Sequence, residues 1–158
     1  MTALSTLVVG AFATGGFTAT NFNSLASGSG VLAATATANS TASEVHERAN
    51  VSFSFVVGGT TVAASYLSFY ALPLNQDGTT YGDGYAGGAS SPASTYFLAS
   101  VPVLAGVLSG AAVTGSTDPV TIPAGNFKLA VVNNLGVALN AAAAAAVQLQ
   151  FVDINNNG

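Results

Sequence analysis

The chain has no cysteine and no tryptophan, a single histidine, and only two basic residues, Arg48 and Lys128, among its 158. Each shortage removes a class of function. Without cysteine there are no disulfides, no thiolate metal sites and no cysteine nucleophile. Two cations against six acidic residues give a formal net charge of −4, so phosphate backbones would go unneutralised and nucleic acid is excluded as a ligand. No G-x-S-x-G, Walker loop, H-E-x-x-H or dinucleotide fingerprint is present, so no enzymatic activity and no cofactor or metal is expected. Long hydrophobic runs are missing too. Gly10, Thr14, Gly15 and Gly16 interrupt the apolar start of the chain before it reaches the ~20 residues of a span, so no membrane segment is expected. Residues 1–17 contain no Lys or Arg to form the n-region of a signal peptide, and none is expected there.

What is present is neutral and sticky. Charged side chains make up 5% of the chain, against roughly 25% in ordinary domains. Two basic and six acidic residues, spread over the roughly 7,000 Å² of a compact monomer of this size, leave about one charge per 900 Å². Gaps that wide exceed the ~300–600 Å² of the largest apolar patch on a typical monomer. Partners are expected to cover much of this surface.

Residues 44–74, EVHERANVSFSFVVGGTTVAASYLSFYALPL, organise the rest. Val45, Ala49, Val51, Phe53, Phe55 and Val57 alternate with Glu44, His46, Arg48, Asn50, Ser52 and Ser54, which predicts a long half-buried strand. Gly58 and Gly59 break the run, and a tight reversal into a second antiparallel arm is expected. In that arm Tyr66, Tyr70, Leu72 and Leu74 lie on one face and Leu67, Phe69 and Ala71 on the other. Both faces are apolar, so the arm is expected to be covered twice, by the core and by a second layer or another molecule.

Before this hairpin, residues 1–30 read as an extended N-terminal arm or as a first strand with its loop. Phe17, Phe22 and Leu25 sit among Gly, Ser, Thr and Asn, a spacing that suits anchors laid across a neighbour. VLAATATA at 31–38 is a small-residue strand candidate. After the hairpin, residues 75–94 form a twenty-residue loop with Tyr81 and Tyr85, of the composition used by adaptable recognition surfaces. Its Asp77 and Asp83 are weighed as calcium ligands, but the spacing lacks the closing Glu of an EF-hand loop, and Asp-Gly is first a turn signal. TYFLASVPVL at 95–104 is a strand that Pro102 assigns to an edge or to its hydrogen-bonding end. Residues 107–114 are a weaker candidate, VTI at 120–122 is short, and NFKLAVV at 126–132 alternates before a turn at Asn133 and Asn134. Six alanines at 141–146 read as one helical turn or a loop, followed by strand alternation in Val147, Leu149 and Phe151.

The fold class expected is all-β: an antiparallel two-sheet sandwich, a jelly roll of about eight strands, occupying residues 31–158 as one domain with the N-terminal arm ahead of it. Its irregular strand spacing and long loops, without the Cys and Trp signposts, argue against an immunoglobulin-like sandwich. His46 falls on the polar face between Glu44 and Arg48, and a solvated or interface-pairing cluster is expected there. Glu47 falls on the apolar face, marking a bulge, a frayed strand start or an inward charge.

The segments VSFSFVVGG, SYLSFYALPLNQDGTTYGDG, TYFLASVPV and VTIPAGNFKLAVVNNLG, closed by VQLQFVD, together resemble the small virion proteins that decorate and cement the heads of tailed bacteriophages. The likeness spans residues 51–153. It implies a jelly-roll or related β fold on the outer surface of the capsid, made in the host cytoplasm, with the major capsid protein as partner and a homo-dimer or homo-trimer as the assembly. Contacts are expected from Leu7, Val8, Phe12, Phe17 and Phe22 of the arm and from Tyr66, Tyr70, Tyr81, Tyr85 and Tyr96. On this reading, removing residues 1–24 leaves the β domain folded but unattached. Two rivals remain: a tail or fibre domain that binds a receptor or glycan through residues 75–94, and a shell or fibre subunit that assembles alone.

Overall fold

Strict alternation of apolar and polar residues gives strands with one buried face, and the computed structural model of the chain is built from them. It describes residues 5–39, 45–140 and 146–156, of which 5–9, 11, 12, 19 and 153–156 are described by backbone alone. The strands are β1 (Ser5–Thr14), β2 (Gly30–Leu32), β3 (Thr37–Asn39), β4 (Arg48–Val56), β5 (Tyr66–Pro73), β6 (Phe97–Pro102), β7 (Ala112–Ser116), β8 (Val120–Thr121), β9 (Gly125–Asn134) and β10 (Ala146–Asn156). One sheet has the order β1-β10-β4-β7 with β8 also on β4, and the other β2-β9-β5-β6 with β3 also on β9.

Two of these neighbours are broken single strands. β7 and β8 run end to end along β4, from Val56↔Ala112 to Arg48↔Thr121. Between them the Thr117 amide donates to the Val51 carbonyl at 2.9 Å, and the Thr117 hydroxyl accepts from the Val51 amide at 3.0 Å, so a side chain replaces a carbonyl in the ladder. β2 and β3 likewise share β9, with the Ala33 amide on the Leu129 carbonyl between them. Counted this way there are eight strand lines, ordered 1-8-3-6 in the first sheet and 2-7-4-5 in the second. Line 1 neighbours 8, 2 neighbours 7, 3 neighbours 6 and 4 neighbours 5, which is a long antiparallel hairpin rolled up on itself, the jelly roll.

The core lies between the sheets. Ala49, Val51, Phe53, Phe55 and Val57 point inward from β4, as their alternation predicts, and meet Leu67, Phe69 and Ala71 of β5. Phe53 lies 5.5 Å from Phe55 and 5.4 Å from Phe69, a ring contact that ties one sheet to the other, and each such pair adds about 0.5–1.5 kcal/mol beyond its buried area.

Several expectations are corrected. β4 and β5 are not a hairpin: β4 pairs with β10, β7 and β8 in one sheet, β5 with β6 and β9 in the other. Residues 57–65 instead turn the corner between sheets. Gly58 is needed there because a Cβ would come within 2.9 Å of the Ala138 carbonyl. The long strand begins at Arg48, and Glu47, exposed, precedes it, so its break in parity marks the strand start. VLAATATA is two short strands separated by a bend.

The N-terminal segment is no free arm. β1 pairs antiparallel with β10 from Ser5↔Asn156 to Thr14↔Gln148, with a bulge between Val9 and Phe12. Phe22 is fully buried against Phe55, 4.7 Å away, and Phe17 packs on Phe22 at 5.0 Å. The segment belongs to the domain because its spaced aromatics fill that domain's own core. Removing residues 1–24 therefore opens the core. The alanine run at 141–145 and Glu44 lie outside the described residues.

Candidate functional site

The expected double cover of β5 has an answer within the chain. Tyr70 and Leu72 point away from the core and pack with Ala130, Val132 and Tyr85, flanked by Leu32, Tyr81 and Tyr96. Residues 75–94 thus lie as a second layer over the outer face of the second sheet. The Gly30 and Gly88 amides each donate to the other's carbonyl, at 2.8 and 2.9 Å. Gly30 must lack a Cβ because one would stand 2.2 Å from the Tyr85 hydroxyl.

Tyrosines and carboxylates in this layer serve the loop itself. The Tyr85 hydroxyl donates to the Ser90 carbonyl at 3.0 Å, and burial first, then the charges of Tyr70 and Asp83, push its pKa up. Lys128 Nζ sits 5.1 Å from the centre of the Tyr81 ring, a cation–π contact. Tyr70 meets Phe97 edge-on at 5.6 Å. Asp77 accepts from the Thr79 and Thr80 amides at 2.9 Å each and from the Thr80 hydroxyl, which together hold its carboxyl down to about 2. Asp83 accepts from the Tyr85 and Ala93 amides at 3.3 and 2.9 Å. Both carboxylates are turn-makers, and the described residues contain no group of three or more His, Asp or Glu fit for a metal ion.

The antiparallel order puts connections 15–29, 57–65, 103–111 and 135–140 at one end of the sandwich, and none contains Asp, Glu, Lys, Arg or His. Glu47, Arg48, Asp77, Asp83 and Lys128 belong to the other end, as does Asp153 by the register of β10, while Asp118 lies at mid-height in the break between β7 and β8. The molecule is electrostatically two-ended. Its neutral end presents Leu104 (82% exposed), Leu108 (67%) and Val62 (50%).

This apolar knob is braced. The Thr61 hydroxyl donates to the Leu104 carbonyl at 2.7 Å and accepts from the Val107 amide at 2.9 Å. The Thr61 amide donates to the Val107 carbonyl and the Gly106 amide to the Thr61 carbonyl, at 3.0 and 2.9 Å. Ser109 Oγ donates to the Gly58 carbonyl at 3.0 Å. Asn133, fully buried at the end of β9, ties in the neighbouring loops: its amide group donates to the carbonyls of Leu25 (2.8 Å) and Val137 (2.9 Å), and its oxygen accepts from the Leu135 amide (3.0 Å).

Among the described residues, none forms such a second layer over the first sheet's outer face in the half nearest the knob. Ser52 and Ser54 of β4, half-buried, stand beside the exposed Thr114 and Ser116 of β7 and Ala146 and Gln148 of β10, and all six are uncharged. The edges do not invite another strand: Pro102 stands in β6, Pro119 interrupts β7 and β8, β2 and β3 are broken, and β1 is bulged. Such interruptions blunt edge-to-edge pairing.

Against the sequence reading, four of the expected contact residues, Tyr70, Tyr81, Tyr85 and Tyr96, come together, but as the packing of the 75–94 layer. Tyr70 and Tyr85 are buried, and Tyr66 stands alone and exposed at the start of β5. Phe22 is core and no surface anchor, while Phe17, half-buried, packs on it. The backbones of Leu7, Val8 and Phe12 pair with Ile154, Asp153 and Gln150; their side chains lie outside the description. His46 stacks on Phe151 at 4.4 Å. The sequence reading missed Leu104 and Leu108. Their signal is the pattern LAGVLSG, leucines set between glycines where a strand would bury them. No family model, curated protein or solved structure matches the chain.

Proposed function

We propose that this chain is a non-enzymatic structural protein of a tailed-phage virion, which binds the outside of the head and cements neighbouring major capsid subunits. One observation carries the reading: the second sheet's outer face is covered by the chain's own loop, while among the described residues nothing covers the first sheet's, which is uncharged toward the neutral end. That face is the surface laid against the shell. A charged face would have to strip water from each charge on docking, at several kcal/mol per unpaired ion. Hydroxyls and amides can exchange water for a partner's backbone at small cost.

The mechanism is mechanical. A copy seated across the boundary between two shell subunits adds its contacts to those that must break when the subunits part. Four strand lines at ~4.8 Å by about five residues at ~3.3 Å make a face of roughly 320 Å², below the ~800 Å² per partner of a standard interface. A single contact is therefore weak, and repetition over a lattice supplies the hold. The glycan-binding alternative loses its stacking surfaces, since Tyr85 is buried and Tyr81 lies beneath Lys128.

Sedimentation with heads stripped of this protein tests the reading. The wild type and a Thr79→Lys control, altered at the charged end, are expected to saturate the heads. A Thr114→Lys, Gln148→Lys double variant, at exposed positions on strands that do not pair with each other, is expected to bind at least about tenfold more weakly with unchanged thermal unfolding. Undiminished binding by the double variant would overturn the assignment of the face, and absence of binding by the wild type would overturn the function.

A further inference from the structure

We propose that copies of this chain join head to tail, the leucine knob at the neutral end of one copy seating in an apolar cup at the far end of the next. The inference stands on the chain alone and does not depend on the shell reading. The cup lies where the sandwich stays open, between edge strands β6 and β8. Pro73, Phe97, Leu98, Ile122 and Pro123 line a depression of about 330 Å³, with no charged residue among its walls. Ile122, almost fully buried, forms part of its wall, and Phe97 stands at its rim, 46% exposed and steadied by Tyr70.

Knob and cup match in chemistry and size. The two isobutyl groups of Leu104 and Leu108 displace about as much volume as eight waters, roughly 240 Å³ at ~30 Å³ each, within the 330 Å³ of the cup. Its polar groups, contributed by Thr95, Tyr96 and Thr121, are all uncharged, so nothing in the walls opposes a neutral protrusion. A strand cannot fill it by sheet extension from β8, because Pro119 interrupts that edge. A rigid, neutral protrusion can, and the fourfold clamp of Thr61 on residues 104–107 holds such a protrusion ready, so little entropy is lost on docking.

The charge distribution selects the partner. Two charged ends repel, since Glu47, Asp77, Asp83 and Asp153 outnumber Arg48 and Lys128 there, whereas a neutral knob approaches the charged end of another copy without opposing like charges. Knob and cup occupy opposite ends of one domain, so a copy cannot fill its own cup. Each copy offers one of each, which makes the contact heterologous and the product a ring or an open chain.

Sedimentation velocity over a range of concentrations, on the wild type, a Leu104→Asp, Leu108→Asp knob variant and a Phe97→Asp cup variant, decides the matter. The wild type is expected to grow in mass with concentration, and each variant alone to need at least about tenfold higher concentration to associate. An equimolar mixture of the two variants is expected to form dimers and stop, because one intact knob and one intact cup remain. Circular dichroism verifies the fold of each variant, with Phe97→Ser replacing Phe97→Asp if the latter is unfolded. A wild type that stays monomeric, a mixture that fails to form dimers, or a cup variant that associates like the wild type would each overturn the proposal.

Discussion

Asn133 and Thr61 are small polar residues that shape the neutral end out of proportion to their size. Asn133→Ala leaves the Leu25 and Val137 carbonyls and the Leu135 amide without their partner. A cost of about 3 kcal/mol is expected, read as a fall in Tm of roughly 6–12 °C. Thr61→Val keeps the shape and removes the hydroxyl, so about 1 kcal/mol is expected there, with faster amide exchange at Val107 as the local readout. Asp77 gives a pH signature. Its folded pKa, about 2, lies below the ordinary carboxylate value of 3.8, so its support of the 75–80 turn is complete above pH 3.8 and lost as pH falls through about 2. The Thr79 and Thr80 amide resonances are expected to titrate with a midpoint near 2, and a midpoint near 4 would contradict the bonding described.

Among the elements, β1 and the aromatics after it decide whether the N-terminal segment is an attachment or a part of the fold. Deleting residues 1–24 removes the whole partner of β10's outer edge together with Phe22. The truncated chain is expected to lose cooperative thermal unfolding, and Phe22→Ala alone to cost about 4 kcal/mol; a folded truncation would contradict the assignment. The alternation of β4 and of β9 was legible because each packs one face on the core, and period two then records burial directly. The Gly58-Gly59 break was legible as a reversal but not as a change of sheet, since a turn signal carries no information about which strands the next segment will meet. Phe22 was misread because its polar neighbours describe only the local chain, whereas its burial depends on Phe55, far away in sequence. The cover of β5 was foreseen as a need. Its source in the 75–94 loop was hidden because that loop has no period, only tyrosines whose partners are set by tertiary contact.

On the scale of the whole molecule, eight charges in 158 residues were legible as a neutral surface, but the gathering of six of them at one end follows only from jelly-roll connectivity, which alternates loops between two ends. A neutral contact is insensitive to screening, so shell binding is expected to change less than about twofold between 50 mM and 500 mM salt, where a contact resting on ion pairs would weaken steeply. The most direct test of the account is the number of copies that stripped heads take up per capsomer as the protein is titrated in. A fixed whole-number plateau, with filled heads surviving heat that bursts undecorated ones, is the predicted result. Uptake that never saturates, or a plateau that leaves the heads no more resistant than before, would contradict it.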